Sequence, residues 1–162
     1  MLSLQTVYPD TLELLKQLAQ TSILQDMRLV GGTSLALQYG HRRSVDLDFF
    51  GRTTDDAVME NGLILASPKD IAVMKVNAII GQGTKKDFVD IYFLLCHFSF
   101  EQLMQFYLEK YPDGSEYRAL LSMTYFYDAD PQPMPYMFDN ISWQQIKDII
   151  CIAVEQYNQK HS

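Results

Sequence analysis

Hydrophobic positions fall into short blocks whose spacing changes along the chain. Between residues 10 and 20, DTLELLKQLAQ places apolar residues three and four apart. With Asp10 as N-cap and Glu13 three residues on, it predicts an amphipathic helix. MRLVGG (27–32) predicts a short buried strand running into a turn. TSLALQYG (33–40) predicts a helix opened by a capping hydroxyl and closed by a glycine. In SVDLDFF (44–50) the period drops to two. Val45, Leu47 and Phe49 alternate with Ser44, Asp46 and Asp48, as on a strand with one polar face.

Residues 51–62, GRTTDDAVMENG, read as a polar loop, and LILAS after them as a short strand. SPKDIAVMKVNAII (67–80) predicts a helix with Ser67 as N-cap, Pro68 at its first position and Asp70 in the capping-box place. A loop with Gly81 and Gly83 follows, then the apolar helix DFVDIYFLLCHF (87–98). SFEQLMQFYLEKY (99–111) repeats the capping logic with Ser99 and Gln102. The stretch Tyr125 to Met137 reads as an irregular surface segment, and a last helix starts from Ser142. The expected fold class is α+β: a mixed β-sheet core near the N-terminus followed by a mainly helical C-terminal half. The size suggests one domain, with 1–66 as the α/β core and 67–162 as the helical part.

Composition narrows the function classes. An apolar fraction of 48% with 20% charged residues is that of an ordinary soluble chain, and no apolar run is long enough to span a membrane. MLSLQTVYPD has no secretion-signal pattern, so the cytoplasm is the expected compartment. A net charge of −7 argues against broad nucleic-acid binding through phosphates. It leaves room for a local basic patch at His41, Arg42 and Arg43 or at Lys85 and Lys86. Cys96 and Cys151 fit neither a metal-ligand nor a disulfide spacing and read as buried thiols; the three histidines are too scattered for zinc.

Asp46 and Asp48 stand two apart on the predicted strand, so their carboxylates leave the same face. Such a pair either lies solvated at a strand edge or shares a cation. Magnesium takes oxygen ligands of this kind, one or two carboxylates plus substrate phosphate oxygens. Gly31 and Gly32 sit between an apolar strand and a helix start. That is where backbone approaches a phosphate and free N–H groups meet it. Thr33 and Ser34 either add hydroxyl donors or cap the helix. Lys75 lies in a helix apolar almost all round and must snorkel to water or meet an anion. Asp90 either completes the cap of an N-capping Asp87 or orients Lys75 or a nucleophile. No GxxxxGK[ST] and no GxSxG occur, which disfavours a P-loop ATPase and an α/β-hydrolase.

Together, LVGGTSLALQYGHRRSVDLDFF, SPKDIAVMKVNAI and KKDFVDIYFLL resemble the AbiEii/AbiGii toxin family of nucleotidyltransferases, within the polymerase-β-like superfamily. The first block is the specific one, and the resemblance covers roughly residues 27 to 98. It implies a nucleotidyltransferase-fold core and transfer of a nucleotide from an NTP to an acceptor, transfer RNA for some members. It also implies magnesium (or manganese) on Asp46 and Asp48. Gly31, Gly32, Thr33, Ser34, Arg42, Ser44 and Lys75 would bind the nucleotide, and Asp90 would complete the catalytic set. The resemblance further implies a toxin held in check by a cognate antitoxin encoded beside it. The family pattern adds a third carboxylate on a strand after the acidic pair. Here about a dozen residues, with Asp55, Asp56 and Glu60, are too few for that strand and its turns. An alternative is therefore a degenerate nucleotide-binding or regulatory module. A third reading is an interaction protein whose motif has no ligand, and MTYFYDADPQPMPYMF either presents an interaction surface or folds back over the helices.

Overall fold

The computed structural model describes residues 1–162 except 25, 52–57, 61 and 162. The chain forms two compact units: Met1–Ile71 with Tyr136–Asp139, and Ala72–Pro135 with Asn140–Ser162.

The first unit is built on four short strands: β1 (Arg28–Val30), β2 (Asp48–Phe50), β3 (Val58–Glu60) and β4 (Leu63–Leu65). They lie in the order β2-β1-β4-β3. β1 pairs antiparallel with β2 and parallel with β4, and β3 pairs antiparallel with β4, so the sheet is mixed. Two helices, α1 (Pro9–Ala19) and α2 (Gly31–Tyr39), belong to the same unit. Its core gathers Leu2, Val7, Leu15, Leu29, Leu37, Leu63 and Leu65, with Leu47 and Phe49 packed against it.

Several boundaries differ from the sequence pattern. α1 starts at Pro9, with Tyr8 at the N-cap and Asp10 inside the first turn. Proline's fixed φ suits that first position, so the cap moves two residues back, from Asp10 to Tyr8. α2 starts at Gly31 and not at Thr33, and Gly40 ends it with φ +76°, the left-handed cap that glycine adopts without strain. Of SVDLDFF only Asp48–Phe50 pairs in the sheet. The alternation fails upstream, where Ser44 is buried and Val45 exposed, because Ser44 bridges instead to Val7. Residues 58–60, expected in a loop, form β3; Glu60 pairs with Leu63 across a two-residue connection that contains Gly62 (φ +77°). Pairing with β4 makes a strand of residues that show no alternation. Asp55 and Asp56 lie outside the described residues.

Helix α3 (Pro68–Gln82) leads from the first unit into the second. The Ser67 hydroxyl accepts from the Asp70 backbone N–H at 3.1 Å, the cap expected there. Ile71, Ala72, Val73, Val76 and Ile79 are buried, and Gly81 continues the helix where a loop was expected. The second unit holds α4 (Lys85–Leu95), α5 (Phe100–Lys110), α6 (Glu116–Met123) and α7 (Trp143–His161). α7 packs against the other three, burying Ile146, Ile150, Val154 and Tyr157 at helical spacing.

α4 begins at Lys85 because Thr84 caps it in a box with Asp87, so Asp87 is the third helical residue and not the cap. Ser99 and Gln102 form the box expected for α5. The segment after α6 folds onto the helices through Phe126, whose ring lies 4.9 Å from Phe88 and 5.8 Å from Trp143. Both cysteines are exposed, against the expectation of buried thiols. Cys96 follows the last turn of α4, and Cys151 is out of phase with the buried stripe of α7. No helix among the described residues is long and apolar enough to cross a membrane.

Candidate functional site

The register of two strands creates the acidic corner. Val30, the last residue of β1, pairs with Asp48, the first of β2. The next residue after Val30 is Gly31, with φ +68°, at the start of α2. Strand and helix therefore turn directly beside the Asp48 carboxylate. A Cβ placed on Gly31 would lie 3.1 Å from Asp48 Oδ2. Glycine is needed here twice, for the backbone angle and for the space. Asp46 and Asp48 are both exposed, while Leu47 and Phe49 between and beyond them pack on the core.

The first turn of α2 carries no side-chain cap, since its N-cap is Val30. Gly31 and Gly32 remain half-exposed. Starting the helix at the glycines brings their amides into the end that attracts anions. The hydroxyls behind them are engaged within the unit. Thr33 Oγ1 donates to the Asp46 backbone carbonyl, which can only accept. The Ser44 hydroxyl, 2.8 Å from Thr33 Oγ1, therefore supplies its own proton to that contact. Thr33 thus fixes the backbone of the first aspartate. Ser34 is buried, with Oγ 3.2 Å from the Gln38 amide. Arg42 is buried as well, its Nη1 donating to the Arg43 carbonyl at 3.1 Å.

The strand that follows β2 in sequence is β3, and it occupies the opposite edge of the sheet, beyond β1 and β4. At a spacing of ~4.8 Å per strand, β3 lies roughly 14 Å from β2. Among the described residues no group of three or more His, Cys, Asp or Glu is placed to hold a metal ion. The carboxylate pair is nonetheless a donor set that suits magnesium completed by phosphate oxygens. A Cβ on Gly31 would crowd Asp48 Oδ2, so the glycine lets the helix backbone come directly against that carboxylate.

Lys75 and Asp90 belong to the second unit and are joined there. Lys75 Nζ lies 2.7 Å from Asp90 Oδ2 and 2.8 Å from Asp87 Oδ1. Asp90 is fully buried and Lys75 nearly so. Of the sequence alternatives, the lysine meets anions supplied by the next helix, and Asp90 is its direct partner. Burial works against the Lys75 charge, but attraction to Asp90 and Asp87 outweighs it and raises the ammonium above its ordinary value. Burial opposes the Asp87 charge too; Lys75 and the Thr84 donors outweigh it and hold that carboxyl below its ordinary value. Asp87 was read only as a capping residue, and its second role shows only when α3 and α4 pack.

The sequence also left unmarked what surrounds Arg43. Its backbone N–H donates to the Tyr136 carbonyl at 2.8 Å, and the next N–H, of Ser44, donates to the Thr6 carbonyl at 2.9 Å. Successive amides of an extended chain point to opposite sides. Tyr8 and Tyr136 thereby flank Arg43, whose guanidinium carbon lies 4.8 Å and 4.5 Å from their ring centres.

Comparison with protein families matches residues 13–64 to the nucleotidyl transferase AbiEii toxin, type IV TA system. The match agrees with the resemblance carried by the glycine corner and the acidic pair, and it ends before Lys75. An uncharacterised protein of Aquifex aeolicus (strain VF5) is 26% identical over 198 aligned residues, covering 90% of this chain and 94% of that protein. The alignment is longer than the 162 residues here, so the Aquifex protein carries segments without a counterpart in this chain. No solved structure matches.

Proposed function

We propose that this chain is a magnesium-dependent nucleotidyltransferase. It moves a nucleotide from an NTP to an acceptor, an RNA such as tRNA or a protein, as the toxin of a toxin–antitoxin pair. The family match over residues 13–64 supports the class. The observation that carries the site is Asp48 Oδ2 facing the open Cα of Gly31 at an uncapped helix start. A triphosphate seated on the first-turn amides of α2 lies beside the acidic pair, with Gly31 bringing those amides against Asp48 and Thr33 holding the Asp46 backbone. Magnesium (or manganese) on Asp46 and Asp48 supplies charge neutralisation at the phosphoryl oxygens. The acceptor hydroxyl releases its proton to solvent and its oxygen bonds the α-phosphorus as the bridge to the β-phosphate breaks and pyrophosphate leaves. Incubation with labelled NTP, magnesium and total RNA or protein tests this. Label transfer that disappears in Asp48→Ala is expected, and transfer unchanged in that variant removes the assignment.

A second reading is a nucleotide-binding module without turnover. The placement of β3 favours it, since the strand that follows the pair in sequence runs at the opposite edge of the sheet. Calorimetry with a panel of NTPs, with and without magnesium, separates the two: binding without transfer supports the module.

A further inference from the structure

We propose that Tyr8, Arg43 and Tyr136 form a stacking platform for the unpaired bases of a single-stranded nucleic acid, on the segment leading into the acidic pair. The inference rests on the nucleotide-transfer reading only in taking that strand to be the acceptor. Three extended pieces build the platform. Residues 42–44 run between the chain around Val7, bridged at Ser44, and the chain around Met137, bridged at Arg42. Phe138 N–H donates to the His41 carbonyl at 3.1 Å and secures the second side. The backbone, and not side-chain chance, puts a tyrosine on each side of the guanidinium.

The rings are not used up in packing. Tyr8 is 48% exposed and Tyr136 60%, and Phe138, edge-on to Tyr136 at 5.4 Å, is 40% exposed. Aromatic residues whose only task was to hold the chain would bury their faces in the core. Arg43 has no carboxylate partner among the described residues; its contacts are the two rings. A planar cation held between aromatic rings offers its N–H donors to a phosphate or base edge. Exposed tyrosine faces are what splayed bases stack on. The net charge of −7 disfavours a duplex gripped through many phosphates and suits a strand held through few contacts. Arg43 precedes Asp46 by three residues, so a strand lying here is delivered toward the acidic corner.

Fluorescence anisotropy with a labelled, unstructured RNA dodecamer and a hairpin of equal composition tests the platform on the full chain. The single strand is expected to bind more tightly, with a shallow salt dependence of roughly −0.7 in the log–log slope per phosphate engaged. Tyr8→Ala and Tyr136→Ala should each weaken it about tenfold, and Tyr136→Phe should not. Arg43→Lys keeps size and charge but loses the plane. It too should weaken binding, and it carries the test should an alanine variant lower the melting temperature. Unchanged affinity in these variants, equal binding of the hairpin, or no binding of the single strand overturns the platform. So does a protein acceptor labelled equally well by the variants. Calorimetry with NTP is read separately. Absent NTP binding sinks the transferase reading alone, while normal transfer to RNA with an unchanged KM in Tyr136→Ala sinks the platform alone.

Discussion

Gly31 opens its Cα toward Asp48: a Cβ there would stand 3.1 Å from the carboxylate oxygen and 3.9 Å from the carbons behind it. Gly31→Ala is expected to cost about 1–2 kcal/mol through its left-handed backbone. The new methyl must also push the carboxylate aside. Thermal unfolding should shift down by a few degrees, and label transfer should fall by much more than the stability loss explains. Full transfer in a folded Gly31→Ala protein contradicts the role given to this corner.

Asp48 is exposed, so Asp48→Asn should fold with an unchanged melting temperature while losing metal-dependent chemistry. Losing one metal ligand should cost about a hundredfold or more in transfer rate. Asp46→Asn should behave alike. Calorimetry then shows whether NTP still binds without the metal contribution.

Thr33→Val keeps the shape of the side chain but removes the proton given to the Asp46 carbonyl. A buried polar group left without its partner costs about 1–3 kcal/mol. Thr33→Ser should recover most of both stability and transfer. A valine variant as stable and active as the parent excludes the positioning role.

The Lys75–Asp87–Asp90 group predicts a pH profile. Asp87 is held below its ordinary 3.8, so its contribution to stability is present above that value and lost as pH falls beneath it. Lys75 is held above 10.5, so its contribution is complete below that value and lost as pH rises beyond it. Chemical unfolding across pH should show both flanks. Lys75→Met leaves two carboxylates without their cation and should destabilise by about 3–5 kcal/mol at neutral pH. If Lys75→Met unfolds at the parent denaturant concentration, the triad contributes nothing of this kind.

What could be read from the sequence follows the range of the forces involved. Caps are local, so Ser67 with Asp70, Ser99 with Gln102 and the closing Gly40 were all legible. The nearness of the glycines to the acids was legible because only one short helix and its return separate them along the chain. The start of α2 was not, because two glycines ahead of a threonine look like a turn until Val30 pairs with Asp48. β3 was hidden because its strand character comes from β4 and not from its own alternation. Lys75 and Asp87 are twelve residues apart, and only the packing of two helices joins their charges.

Tyr136–Asp139 has a consequence for anyone who would cut the molecule down to its motif. These four residues come from late in the chain yet belong to the N-terminal unit, where they satisfy the backbone of His41 and Arg43. A fragment stopped at residue 66 leaves that edge bare and strips the guanidinium of Tyr136, and one trimmed to the family-matched stretch loses Tyr8 as well. The signature region is therefore no portable cassette; it borrows its last edge from beyond the helices.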